Sequence, residues 1–192
     1  MKLPELTEKK INEYIAVLKQ YSKKINIISK VITDEQIKEL VNESLLVDKY
    51  SRGLNIVDAG SGNGILGIPL AILHPEKKIF LVEPRKKKSE FLSYAVDKLI
   101  LGNVKVLRSG IEEFVKVNNT MKFSIIARGF PDNGKLISYV KKRVAEEVIL
   151  ITSLSKIKKV EKGIEKCEQR IYNVPFRDNL KILYTANVSR ET

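Results

Sequence analysis

The stretch Asn55-Ile56-Val57-Asp58-Ala59-Gly60-Ser61-Gly62-Asn63-Gly64-Ile65-Leu66-Gly67 joins a short apolar run, an acid and a series of glycines. Four glycines (Gly60, Gly62, Gly64 and Gly67) fall within eight residues directly behind Asp58. Glycine reaches positive φ and lets a main chain pass a ligand with no Cβ between them. The helical pattern that follows offers free N–H groups and the positive end of a helix dipole. Such a turn at the carboxyl end of a first buried strand predicts a cofactor site in an open α/β sheet.

Two ligand classes fit the glycines. Gly62-x-Gly64-x-x-Gly67 matches the dinucleotide fingerprint. Asp58-x-Gly60-x-Gly62-x-Gly64 matches the looser pattern of S-adenosylmethionine sites. A carboxylate at Asp58 would repel a pyrophosphate, whereas a sulfonium and an amino group tolerate it. Glu83, closing the next apolar run, stands at the spacing of an acid that accepts ribose hydroxyls in either class. Its competing role is a surface carboxylate paired with Arg85 or Lys86.

The elements that must position these residues follow from periodicity. Ile11, Tyr14, Ile15, Leu18 and Tyr21 form one helical stripe, with Thr7 as the expected cap and an end near Ser22. Thr33-Asp34-Glu35-Gln36 reads as a capping box opening a second helix that buries Ile37, Leu40, Val41 and Leu45 and ends near Tyr50. From Asn55 onward strands are expected at 55–59, 78–83, 104–108, 123–127 and 147–151, with helices at 64–74, 85–101, 112–117 and 134–145 between them. That alternation predicts an α/β fold, a Rossmann-like sheet that is mostly parallel with helices on both faces. A basic helix over 156–167 and strands near 169–174 and 180–187, turning at Pro175 to Asn179, would close it with an antiparallel pair. The tail from Ser189 is expected to fray. Residues 1–52 read as a helical extension and 53–192 as the main domain.

The 192 residues carry 35 Lys and Arg against 23 Asp and Glu, a formal charge of +12. Such a surplus points to a polyanionic partner, nucleic acid above all, against the plainer reading of solvated lysine faces. One cysteine, Cys167, excludes an internal disulfide and fits a reducing cytoplasm. No metal-ligand spacing surrounds it, and no metal is expected. No apolar run has signal-peptide or membrane-spanning form, so a soluble, cytoplasmic protein without a membrane partner is expected, working as a monomer. The lone histidine, His74, in Leu-His-Pro-Glu, reads as a helix-stop residue.

Val57-Asp58-Ala59-Gly60-Ser61-Gly62-Asn63-Gly64-Ile65-Leu66-Gly67-Ile68-Pro69-Leu70 closely resembles motif I of the bacterial small-subunit ribosomal RNA guanine-N7 methyltransferases, the glucose-inhibited division protein B family. Leu81-Val82-Glu83 with its basic run, Ser109-Gly110-Ile111-Glu112-Glu113-Phe114 and Ala127-Arg128-Gly129-Phe130 extend the resemblance, as do the N-terminal helices ending in Asn26-Ile27-Ile28. It implies a class I methyltransferase fold, S-adenosylmethionine as cofactor, and 16S ribosomal RNA or a small-subunit precursor as partner. By it, Gly60 and Ile65 line the methionine and ribose part of the pocket, Glu83 takes the ribose, Ile111 and Glu112 flank the adenine, and Arg128 reaches cofactor or base. The chain departs from the family at Tyr21-Ser22, where Trp-Asn is usual, near Leu40, where a histidine precedes Asp-Ser, and at Thr152-Ser153, where a lysine is expected.

Guanine N7 carries an available lone pair, so its methylation needs alignment rather than a strong base. No acid/base pair is expected, and Arg128 is the one catalytic candidate. N7 lies in a groove that A-form RNA keeps too deep and narrow to read, so the target should be splayed out. Phe130 could stack on such a base, with Arg85, Lys86, Lys87 and Lys88 on its phosphates and Lys23, Lys24 and Lys141-Lys142-Arg143 in second rank. Other readings are a methyltransferase for a different RNA site, a dinucleotide oxidoreductase, or an RNA-binding module without catalysis.

Overall fold

The computed structural model describes residues 4–29, 31–160, 167–173 and 180–187. Two helices come first, α1 (Glu5–Ser22) and α2 (Asp34–Leu45), the second continuing as a 3-10 turn over Leu46–Lys49. The capping box at Thr33 forms as expected: its side chain accepts from the Gln36 N–H at 3.2 Å and Gln36 Oε1 accepts from the Thr33 N–H at 3.0 Å. Thr7 is not a cap. Helix α1 already begins behind Pro4, whose fixed φ suits a helix entry and whose carbonyl accepts from the Glu8 N–H at 3.0 Å.

Alternation then sets in: β1 (Asn55–Ala59), α3 (Gly67–Leu73), β2 (Lys78–Val82), α4 (Lys86–Lys98), β3 (Val104–Leu107), α5 (Ile111–Val117), β4 (Ser124–Arg128), α6 (Asn133–Lys141) and β5 (Glu147–Ser153). Helix α7 (Leu154–Val160) and strands β6 (Cys167–Asn173) and β7 (Leu180–Asn187) follow. Several boundaries differ from expectation, each for a local reason. Helix α3 starts at Gly67, because Gly64 takes φ +77° and the chain turns before it can coil. Helices α4 and α6 stop early, ahead of left-handed Ile100 (φ 53°) and Arg143 (φ 56°). Cys167 lies in β6 and not in a helix. The expected turn at 175–179 lies outside the described residues.

The strands form one seven-stranded sheet in the order β3-β2-β1-β4-β5-β7-β6. β1 to β5 are parallel; β7 runs antiparallel to β5 and to β6. Helices cover both faces. One apolar cluster joins α1, α2, α3 and α4 to the sheet through Tyr14, Leu18, Ile37, Leu70 and Phe91; the other joins α5, α6 and α7 through Phe114, Leu136 and Ile157. The N-terminal helices thus share a core with the main sheet. Among the described residues no helix is long and apolar enough to cross a membrane.

Strand order decides where a ligand can sit. From β1 the chain moves outward to β2 and β3, then returns to place β4 on the other side of β1. Helices leave β1 and β4 toward opposite faces, and a crevice opens outside their carboxyl ends. The residues there are the glycine turn after β1 and Arg128 to Phe130 after β4.

Candidate functional site

The glycine turn is held from several sides. The Gly60 and Ser61 N–H groups donate to the Val82 carbonyl at 2.8 and 3.2 Å, fastening the turn to the end of β2. Glu83, only 4% exposed, accepts from the Gly62 N–H through Oε2 and from the Arg85 N–H through Oε1, both at 2.9 Å. The competing role, a surface pairing of Glu83 with the Arg85 or Lys86 side chain, is not formed among the described residues; it is the Arg85 backbone that donates. A carboxylate offers about four lone-pair sites, so each oxygen of Glu83 keeps capacity for a hydroxyl.

Asp58 lies behind the turn rather than on it. Its side chain is buried, and Oδ2 accepts from the Gly67 N–H at 3.1 Å, tying the end of β1 to the first residue of α3. Burial pushes its carboxyl up to about 7; the Gly67 hydrogen bond opposes the rise and the Glu83 charge adds to it. The visible work of Asp58 is on the turn itself. A Cβ on Gly67 would stand 2.4 Å from Leu81 Cδ2 and 2.9 Å from Asp58 Oδ2, so the close approach of α3 to the sheet requires glycine there.

Across the crevice, Phe130 lies against the turn. A Cβ on Gly60 would stand 3.3 Å from the Phe130 ring, which is half-buried and packs on the second apolar cluster. Phe130 is thus both folded onto the core and beside the glycine turn. Arg128, with a side chain 20% exposed, pairs through Nη2 with Oε2 of Glu43 in α2 at 2.7 Å. Its Nη1 is buried with no hydrogen-bond partner among the described residues. Sequence reasoning passed over Glu43 as a site residue. The signal was a carboxylate beside the apolar stripe of α2, where Glu43 is only 7% exposed.

The remaining expected residues divide. Ile65 and Ile111 are buried, Ile65 at the turn and Ile111 opening α5 after β3. Glu112 is exposed and forms an ion pair with Lys135 of α6. Arg85 is the cap residue of α4, and Lys86, Lys87 and Lys88 fill its first turn with no acid among them. Lys88 points toward the turn, its Nζ 3.8 Å from where a Gly62 Cβ would stand, while Lys86 pairs with Glu90 at 3.8 Å. Lys23 and Lys24 are exposed just past α1, whose Tyr21 ring packs on Phe91 and Tyr94 of α4. Lys141, Lys142 and Arg143 close α6 just before β5, at the amino ends of the parallel strands and so away from the crevice. His74 also lies away from it, as the C-cap of α3, with ring nitrogens 2.6 Å from Asp48 and 2.8 Å from Glu76. Thr152, where the family lysine was expected, accepts from Asn133 Nδ2 at 2.9 Å.

These features suit a ligand with ribose hydroxyls, an apolar ring and an acceptor group: a free-sided carboxylate, buried isoleucines, a turn without side chains and an orphaned guanidinium nitrogen. The fold is that of the S-adenosylmethionine-dependent methyltransferases. Solved structures of like fold include the O-methyltransferase of Bacillus cereus in complex with SAH (TM-score 0.66, 14% identity, 91% of each chain). An MtNAS variant in complex with S-adenosylmethionine aligns with TM-score 0.60 and 13% identity over 95% of this chain and 76% of that one. The family described as rRNA small subunit methyltransferase G (GidB) matches residues 7–180, and the chain belongs to it. Relatives include the ribosomal RNA small subunit methyltransferases G of Brachyspira hyodysenteriae (31% identical, 92% of this chain, 86% of that one) and Photobacterium profundum (29%, 74% and 69%).

Proposed function

We propose that this protein transfers the methyl group of S-adenosylmethionine to N7 of a guanine in 16S ribosomal RNA, on the small subunit or its precursor. The observation that carries the reading is the meeting of the Gly60 turn with Arg128 and Phe130 at the reversal of strand order, in a chain of this family. When bound, the cofactor supplies a methyl group activated by its sulfonium. The protein's part is placement. Glu83 would take the ribose hydroxyls, the glycine backbone and Ile65 the methionine end, and Ile111 and Glu112 the adenine.

Guanine N7 must keep its lone pair for the methyl group, so a donor placed on N7 would block the reaction. The orphaned Nη1 of Arg128 is better suited to the neighbouring O6, or to the cofactor carboxylate. Glu43 keeps the guanidinium in place without using that nitrogen. Phe130 would stack on the splayed base, and the basic start of α4 would hold its phosphates. Residues 1–52 act as an extension to a methyltransferase domain of 53–192, and the protein works as a cytoplasmic monomer, a setting that its single cysteine suits.

The test uses small subunits from cells lacking the gene, incubated with the purified protein and methyl-labelled cofactor. Label should appear as N7-methylguanine at one nucleotide. Label on another atom or base would overturn the guanine assignment, and absence of label on RNA would overturn the whole reading.

A further inference from the structure

Helix α1 reaches the cofactor turn. Its buried face carries Ile11, Tyr14, Ile15 and Leu18, and Tyr14 is 0% exposed. A phenol hydroxyl in such a place must find a partner or lose its hydration without return. The partner is the main chain of the glycine turn: Tyr14 Oη donates to the Asn63 carbonyl at 2.8 Å across 49 residues of sequence. Asn63 sits at the tip of the turn, between Gly62, held by Glu83, and Gly64, whose N–H donates to the Ser61 carbonyl at 2.8 Å. Asn63 Oδ1 also accepts from the Ile65 N–H at 3.2 Å. Glu83 holds the turn from β2 and Asp58 holds its exit from β1. On the third side the hold comes from the N-terminal extension.

We propose that Tyr14 is a positioning residue for cofactor binding, its hydroxyl setting the Asn63 peptide and through it the conformation of the Gly60–Gly64 turn. The extension is then a structural part of the cofactor site as well as a cover for the sheet. Burial, and then the Asp58 charge, hold the phenol well above its ordinary range. It therefore stays protonated and able to donate at any working pH. Loss of the donor would leave the Asn63 carbonyl without its partner and free the turn to sample other conformations, at the expense of affinity.

The proposal rests on the glycine turn being the cofactor site, and the test separates the two. Calorimetry on the full chain compares wild type with Tyr14→Phe, which keeps the ring and its packing. The variant should bind S-adenosylmethionine about tenfold more weakly, the scale of one net hydrogen bond to a buried group. KM for the cofactor should rise with it while KM for RNA stays unchanged. Equal affinity in the two proteins overturns the role of Tyr14, whereas a wild type that binds no cofactor overturns the site itself. Hydrogen exchange on the wild type gives a measurement independent of the variant's folding. Saturating cofactor should slow exchange in the α1 turn around Tyr14 together with the glycine turn. Protection confined to the glycine turn would overturn the coupling.

Discussion

Asp58 stores a pH dependence beneath the glycine turn. Its carboxyl is buried and raised from 3.8 to about 7, so the folded state binds this proton more tightly than the unfolded chain does. Stability contributed here is greatest below about pH 4, falls as pH rises toward about 7, and is level above that. Asp58→Asn removes the ionisation and leaves a side-chain oxygen that can still accept from Gly67. Urea titrations across this range should show wild type losing stability relative to the variant as pH rises, with the gap constant beyond neutrality. A difference that does not change with pH would refute the assignment. Arg128 and Glu43 make the contrasting case: two charges largely out of water, each neutralising the other at 2.7 Å. Their pairing was not legible locally, because Glu43 and Arg128 are 85 positions apart.

At the scale of elements, the β1–α3 turn sorts its glycines by what surrounds them. Gly64 has φ +77°, and a Cβ there would stand 2.6 Å from Ile68 Cδ1 and 2.9 Å from Leu92 Cδ2. Gly62 has φ +61°, but its nearest neighbours would lie at 3.7 and 3.8 Å. Gly64→Ala should therefore destabilise by about 2–4 kcal/mol, combining a left-handed conformation with overpacking, and Gly62→Ala by only about 1–2 kcal/mol. Chemical denaturation of both variants checks the order; equal losses would mean that α3 and α4 yield freely to the added methyl. The alternation of strand and helix from Asn55 was legible because each strand is a short apolar run and each helix has its own stripe. Boundaries were less so. The turn at Gly64, the reversals at Ile100 and Arg143 and the early start of α1 behind Pro4 depend on backbone conformations that periodicity does not encode.

For the whole molecule, the +12 charge is not spread evenly with respect to function. Arg85, Lys86, Lys87 and Lys88 lie at the carboxyl ends of the parallel strands, where the crevice opens, and Lys141, Lys142 and Arg143 at their amino ends. Replacing Arg85, Lys86 and Lys87 by alanine should weaken RNA binding and flatten its log–log salt dependence by about 2, taking roughly 0.7 for each phosphate no longer neutralised. The same change at Lys141, Lys142 and Arg143 should leave the slope near that of wild type. Equal effects from both sets would indicate a general field rather than an oriented one. By itself the sequence determined the fold class and the family, and it marked the glycine turn and Glu83 as candidates, because these are written in contiguous residues whose spacing follows strand and helix geometry. Only the tertiary structure decided that Asp58 works from beneath the turn, that Phe130 lies against Gly60, and that α1 and α2 bring Tyr14 and Glu43 to the site. Phe130 meets Gly60 because strand order sets β4 beside β1, while Tyr14 with Asn63 and Glu43 with Arg128 stand far apart in the chain and come within hydrogen-bond reach only because two N-terminal helices pack against the sheet.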